Sequence, residues 1–226
     1  MENAQQILNG DGERLLTLLA SRKRTTASLY KLPFDSAKAA MLALNRAVYA
    51  EVASRGGEFR QSMEYLAQLQ QIGEWLYSQK KPGLLLAGKV GNGKTTFLDA
   101  IINLYSLGEF IDHGVRTGFR RIDAIAITDM YRTDTAGFQT LKDHPMVAID
   151  DLGLESVEVQ SWGNVTNPVI DLLSHRYQRQ ALTIVTTNLP PAEIEKRYGL
   201  RIRDRFREMM TRVEFKNESY RKGIGK

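Results

Sequence analysis

Apolar positions in the first fifty residues recur at helical spacing: Leu15, Leu16, Leu18 and Leu19, then Ala39, Met41, Leu42, Leu44 and Val48. Pro33 and the polar run around it break the pattern between the two groups, and Gly56-Gly57 closes the region. This predicts a small helical N-terminal region, residues 1–57, ahead of a larger unit, residues 58–226. The larger unit opens with a helix over about 62–78, whose expected apolar face carries Met63, Leu66, Leu69, Ile72 and Leu76. From Pro82 onward the periodicity changes. GLLLAG (83–88), AIAIT (124–128), MVAID (146–150) and LTIVTTN (182–188) read as short strands, with helices such as KTTFLDAIINLYSL and NPVIDLLSHRYQR between them. Strand–helix alternation of this kind builds an α/β fold, a parallel sheet covered by helices on both faces. Two helical pieces near 193–198 and 200–210, and a short strand at RVEF, are expected to close the chain.

Composition changes this picture little. Apolar residues make up 42% and charged residues 25%, enough for a sizeable core. No apolar run approaches the roughly 20 residues of a membrane span, and the N-terminal stretch is polar and acidic where a signal peptide would be basic and then apolar. Cytoplasmic residence is therefore expected. With no cysteine, disulfides and thiolate metal sites are excluded. Charge is more informative by position than by sum. The net charge is +5, and residues 201–226, with nine basic and four acidic side chains, carry the whole excess. Such a segment suits a polyanion such as nucleic acid, or is simply a solvated basic face.

Candidate chemistry begins at Gly88-Lys89-Val90-Gly91-Asn92-Gly93-Lys94-Thr95-Thr96, a complete G-x-x-x-x-G-K-[ST] run between a predicted strand and a predicted helix. Glycines let backbone N–H groups curl around phosphates, and the helix N-terminus adds partial positive charge. Lys94 would reach the outer phosphates of ATP, and the Thr95 hydroxyl would ligate Mg²⁺. A second signal lies 55 residues beyond Thr95, where MVAID ends in Asp150-Asp151. The C-terminal ends of parallel strands face the ligand crevice, so these acids should emerge beside the phosphate loop. Asp150 suits a metal partner, and Asp151 suits a base for an attacking water. Asn188, at the end of LTIVTTN, would hold that water or be an ordinary turn residue. In the segment 200–210, Arg201 and Arg205 stand one turn apart with no glutamate four residues on. They form either a positive ridge offered to a neighbouring subunit's γ-phosphate or a solvated face.

Taken together, LLLAGKVGNGKTTF, MVAIDDLG, the Arg176-Tyr177 pair in SHRYQRQ, TIVTTNLP, YGLRIRDRF and NESYR resemble the AAA+ ATPases of the DnaC/IstB family. The resemblance runs from about Leu66 to the C-terminus, and NESYRK looks most like the helicase-loader branch. It implies a P-loop NTPase (AAA+) fold, with Lys94 and Thr95 as Walker A, Asp150 as the metal acid and Asp151 as the catalytic acid. Asn188 becomes a first sensor and Arg205 an arginine finger, with Arg201 as a supporting finger or fold residue. Arg221 becomes the second-sensor arginine that touches nucleotide in cis. Asp151 stands where many relatives carry the longer glutamate, which points to slow hydrolysis. The segment between AIAIT and MVAID is where loaders contact single-stranded DNA; Tyr131, Arg132 and Phe138 are candidates there, with core packing the other reading of Phe138.

The resemblance thus implies an ATP- and Mg²⁺-dependent assembly factor that self-associates through ATP-bridged interfaces. Its expected partners are single-stranded DNA and a replicative helicase, gripped by the N-terminal region. The sister reading is an IstB-like helper that wraps duplex DNA and recruits a transposase. Readings from another class are a P-loop small-molecule kinase and an ATP-gated scaffold without turnover.

Overall fold

A computed structural model describes residues 26–59, 61–161 and 164–220. The predicted helix around Leu15–Leu19 lies outside the described residues. After a 3-10 turn at Thr26–Tyr30 come helices α1 (Ala37–Ser54) and α2 (Met63–Ser78). Each is started by a serine: Ser36 accepts from the Ala39 N–H, and Ser62 from the Tyr65 N–H. Helix α2 buries Leu69, Ile72 and Leu76 as expected, but Tyr65, Gln68 and Trp75 complete its inner face. Met63 and Leu66, placed on that face by periodicity, are 78% and 42% exposed. The buried stripe is turned because the close approach of α1 at Gly73 selects the side that faces it. A Cβ on Gly73 would lie 2.9 Å from Met41 Cβ.

The sheet is built from β1 (Gly83–Gly88), β4 (Arg120–Asp123), β5 (Met146–Leu152), β8 (Leu182–Thr187) and β9 (Met210–Phe215), with β2 (Phe110–Asp112), β3 (Val115–Thr117), β6 (Val159–Ser161) and β7 (Asn164–Thr166) forming two side hairpins. Its order is β4-β5-β8-β1-β9, and every pairing in it is parallel. Helices α3 (Lys94–Ser106), α4 (Ala124–Thr133), α5 (Thr135–Asp143), α6 (Pro168–Arg179), α7 (Pro191–Tyr198) and α8 (Leu200–Met209) complete the chain.

Alternation along each strand divides the core. Leu84, Leu86, Ala148, Ile184 and Val213 face a cluster with α1, α2 and α3. Leu85, Ala87, Val147, Ile149 and Val185 face the other cluster, with α4 to α8. Strands covered on both sides need apolar residues at every position, which is why GLLLAG and MVAID read as continuous runs. The α/β three-layer expectation holds.

One element differs from expectation. AIAIT is not a strand but the first turn of α4, burying Ala124, Ile127 and Thr128 at helical spacing. The strand is the preceding RRID, which pairs with β5 from Arg120↔Val147 to Asp123↔Asp150. A five-residue apolar run fits a strand or one buried helical turn equally well, and here the polar RRID takes the sheet edge. The hairpin β2–β3 was also unforeseen. Its turn, His113 (φ 47°) and Gly114 (φ 80°), uses the two positive φ angles of a tight hairpin turn.

Candidate functional site

The parallel order brings the C-terminal ends of β1, β8 and β5 side by side, with β8 in the middle. Each carries one of the predicted groups. After β1 the loop Lys89–Gly93 turns with Gly91 at φ 82° and Gly93 at φ 95°, conformations that favour glycine. Gly88 is needed for a different reason: a Cβ there would lie 2.4 Å from the Phe215 carbonyl oxygen. Gly93 is the N-cap of α3 and has no side chain to occupy the first-turn N–H groups. The loop and helix end thus offer amides and a dipole to an anion.

Lys94 is buried, and its Nζ donates at 2.8 Å to the carbonyls of Gly88 and Lys89 and to Asn188 Oδ1. Asn92 Oδ1 is 3.2 Å away. Asn188 at the end of β8 is therefore in contact with the loop lysine. Asp150 at the end of β5 is buried, and its Oδ1 accepts from Thr186 at 2.5 Å and from Thr95 at 3.3 Å. Thr186 also accepts the Asp151 N–H at 2.8 Å, so one hydroxyl fixes both acids. Asp151 sits at φ 53°, where the β5–β8 register shifts. At that left-handed turn Asp151 lines the cleft.

The cleft has a volume of about 1330 Å³ and runs from Asp151 and Asn188 across the loop to Arg55, Phe59, Tyr65 and Tyr220. Sequence reasoning missed this second half. Its aromatic wall is Phe59, Tyr65 and Phe97, the middle of a ladder that runs from Tyr49 to Phe215 at ring separations of 5.1 to 5.6 Å. The C-terminal segment closes the cleft from above. Asn217 Nδ2 donates to the Asn92 carbonyl, Gln68 donates to Asn217, and the Tyr220 N–H donates to the Gly91 carbonyl at 2.9 Å. The resemblance of NESYR points to its arginine, yet Asn217 and Tyr220 touch the loop. Arg221 lies outside the described residues.

Arg121, also missed, donates from Nη2 to Asp150 Oδ2 at 2.6 Å and forms an ion pair with Asp99, its Nε 3.1 Å from Oδ1. Burial lowers its pKa, but Asp99, Asp150 and Asp123 outweigh that and raise it above the ordinary arginine value. Misplacing the strand hid this residue, because only RRID as β4 sets an arginine against β5.

Arg201 and Arg205 do not line the cleft. Arg201 is exposed, whereas Arg205 is 8% exposed. Arg205 donates to Ser174 Oγ and lies 5.0 Å from the centroid of the Tyr177 ring, whose hydroxyl donates to Glu208. The two arginines therefore do not make one open ridge. Spacing within a single helix could not reveal partners on α6. Arg176 is structural, its guanidinium donating to Thr183 Oγ1 and to the His144 and Leu182 carbonyls. Phe138 is fully buried, so it packs in the core and is not a stacking surface. Tyr131 leans on Phe138 at 5.1 Å.

Thr95 and Asp150 supply a hydroxyl and a carboxylate within hydrogen-bond reach of each other. Hard oxygens of this kind fit Mg²⁺, which is usually held by one or two protein groups together with phosphate oxygens and water.

No family model matches the chain. Among curated proteins, the replicative helicase loader DnaI of Bacillus subtilis (strain 168) is 30% identical over 165 residues, covering 69% of this chain and 51% of that protein. A crystal structure of the DnaC helicase loader superposes with a TM-score of 0.56 at 21% identity, covering 76% of this chain and 99% of that one. A crystal structure of DnaI gives 0.54 at 18% identity, covering 75% and 93%. The chain is thus similar in sequence to DnaI and shares the fold of the DnaC and DnaI structures. The replication initiator DnaA bound to AMPPCP and single-stranded DNA shares the fold at a TM-score of 0.51 and 16% identity, over 71% of this chain and 49% of that one. The chain spans about half the length of the curated loader it matches. Among its described residues no helix is long and apolar enough to cross a membrane.

Proposed function

We propose that the chain is an ATP-dependent assembly factor that loads a replicative helicase onto single-stranded DNA. The observation that carries this reading is the meeting of Lys94, Asn188, Asp150 and Asp151 at three adjacent strand ends. A small-molecule kinase has no need of two adjacent acids bridged by one threonine, whereas a hydrolase does.

The roles follow from chemistry. Lys94 and the loop amides bind the triphosphate, and Lys94 exchanges its carbonyl partners for phosphate oxygens. Thr95 and Asp150 hold Mg²⁺, which when bound neutralises phosphate charge. Asp151 accepts a proton from the attacking water, and Asn188 orients that water while staying on Lys94. The aromatic wall and Tyr220 receive the base. Arg205 completes a neighbouring subunit's site, so hydrolysis follows assembly.

The N-terminal region 1–57 is assigned to the helicase. Within it α1 packs on α2 and α3 through Ala40, Leu44 and Val48. The grip then falls to the residues ahead of α1 and to its outer face, where Leu42 and Tyr49 are 48% and 59% exposed.

The test uses the full chain with a replicative helicase and a single-stranded DNA circle carrying one annealed oligonucleotide. With ATP, helicase should be deposited on the circle and unwinding should follow. Lys94→Ala should lower ATP affinity by about a hundredfold or more, corresponding to loss of a charge-assisted phosphate contact. Wild-type protein that captures a transposase instead of the helicase, or that binds ATP without releasing phosphate, overturns the loader reading.

A further inference from the structure

Asp150 has both carboxylate oxygens engaged. Oδ1 takes the hydroxyls of Thr186 and Thr95, and Oδ2 takes the Arg121 guanidinium at 2.6 Å. A buried carboxylate asked to support Mg²⁺ gains from an available lone pair and from negative charge. Arg121 reduces both. We propose that Arg121 is an internal counter-cation of the metal acid, which Mg²⁺–nucleotide must displace, so that it sets the Mg²⁺ concentration at which nucleotide binds. The proposal rests on the nucleotide–Mg²⁺ reading of this cleft.

The surroundings supply the place to which Arg121 moves. Its Nε already pairs with Asp99, 3.1 Å from Oδ1, and Asp99 Oδ2 is held by Arg55 at 2.6 Å. Arg55 also donates to Thr96 Oγ1 at 3.3 Å, on the first turn of α3. Arg55, Asp99, Arg121 and Asp150 therefore form an alternating chain of two cations and two anions around that helix end. Arg121 needs only to give up Oδ2 while keeping Asp99. Its side chain is 41% exposed, against 4% for Asp150, so rotation toward solvent meets little obstruction. It stands on β4, the sheet-edge strand, where a long side chain can swing without disturbing a second neighbour. The cation displaced and the cation arriving compete for one oxygen, and the competition is electrostatic.

The chain also predicts opposite signs for two substitutions. Arg121→Gln removes the competitor. Asp99→Asn removes the charge of the alternative partner and leaves Asp150 as the carboxylate that Arg121 hydrogen-bonds.

The experiment titrates Mg²⁺ into full-length protein with a fluorescent ATP analogue and reads the half-saturating Mg²⁺ concentration for binding, not turnover. Arg121→Gln should lower that concentration by about fivefold, the worth of one partly exposed ion pair. Arg121→Lys should stay near wild type, and Asp99→Asn should raise it. A rise in Arg121→Gln, or no shift in either Arg121→Gln or Asp99→Asn, overturns the proposal. Should wild type itself not bind the analogue with or without Mg²⁺, the nucleotide reading fails first, and that outcome is visible in the same titration. Arg121 lies at an edge strand, but if Arg121→Gln melts early, Asp99→Asn tests the sign independently.

Discussion

Arg176 shows how much a single side chain can fix in this fold. It is fully buried, and burial, with the nearby Arg179, pushes its pKa down to about 9. Its donors at 2.7 to 2.8 Å go to the Thr183 hydroxyl and the carbonyls of His144 and Leu182, tying the starts of β5 and β8 to α6. Arg176→Met keeps the stem but orphans those acceptors, so it should cost about 3 kcal/mol in urea unfolding while leaving ATP affinity nearly unchanged. Next to it, His144 has its pKa lowered from 6.5 by burial first, with Arg176 and Arg120 adding repulsion and the Met146 carbonyl and Asp112 opposing them. The folded state thus resists a proton that the unfolded chain accepts. Stability should be complete above pH 6.5 and fall as pH drops through that value toward the lowered folded pKa. Urea midpoints across the acid range would show it, and His144→Gln should flatten part of the slope. No such slope in wild type would mean His144 is hydrated or otherwise compensated.

At the scale of elements, the tightest junction is between α1 and α2. A Cβ on Gly73 would meet Met41 backbone as well as side-chain atoms, Cα and N both at 3.0 Å. Alanine normally favours a helix over glycine by about 1 kcal/mol. Here the helices must part instead, so Gly73→Ala should destabilise by about 1–3 kcal/mol in thermal or urea unfolding. A neutral or stabilised variant would show that α1 packs loosely. Much at this scale was legible in advance. β1, β5 and β8 are buried on both faces, and continuous apolar runs leave few alternatives for such strands. The polar edge strand β4 carried no such signature, and its neighbour AIAIT took the reading that belonged to it. The site followed the same division. Lys94, Asp150, Asp151 and Asn188 were legible because strand ends are fixed by the runs that precede them. Arg121, Asn217, Tyr220 and the partners of Arg205 come from elsewhere in the chain, and no spacing rule brings them together.

For the molecule as a whole, the open question is whether one chain holds a complete site. Its cleft gathers the Gly-rich loop, Asp151 and Asn188, with Asp150 buried beside Thr95, yet Arg205 lies elsewhere, clasped by Ser174 and Tyr177 on α6. In the proposed reading, that clasp would hold the side chain's direction and lower the entropy lost on meeting a neighbour's phosphate. A head-to-tail arrangement of subunits would then give each cleft an arginine from the next chain. Two inactive variants test this directly. Arg205→Ala should bind ATP with near-wild-type affinity but lose DNA-stimulated hydrolysis, and Asp151→Asn should do the same for a different reason. Mixed in equal amounts, they should recover about a quarter of the sites, those pairing an intact Asp151 with an intact neighbouring Arg205. Recovery should grow with protein concentration, since it depends on association. If the mixture stays inactive while each variant still binds ATP and still self-associates, Arg205 acts within its own chain. Loss of ATP binding by Arg205→Ala alone would lead to the same conclusion by a shorter route.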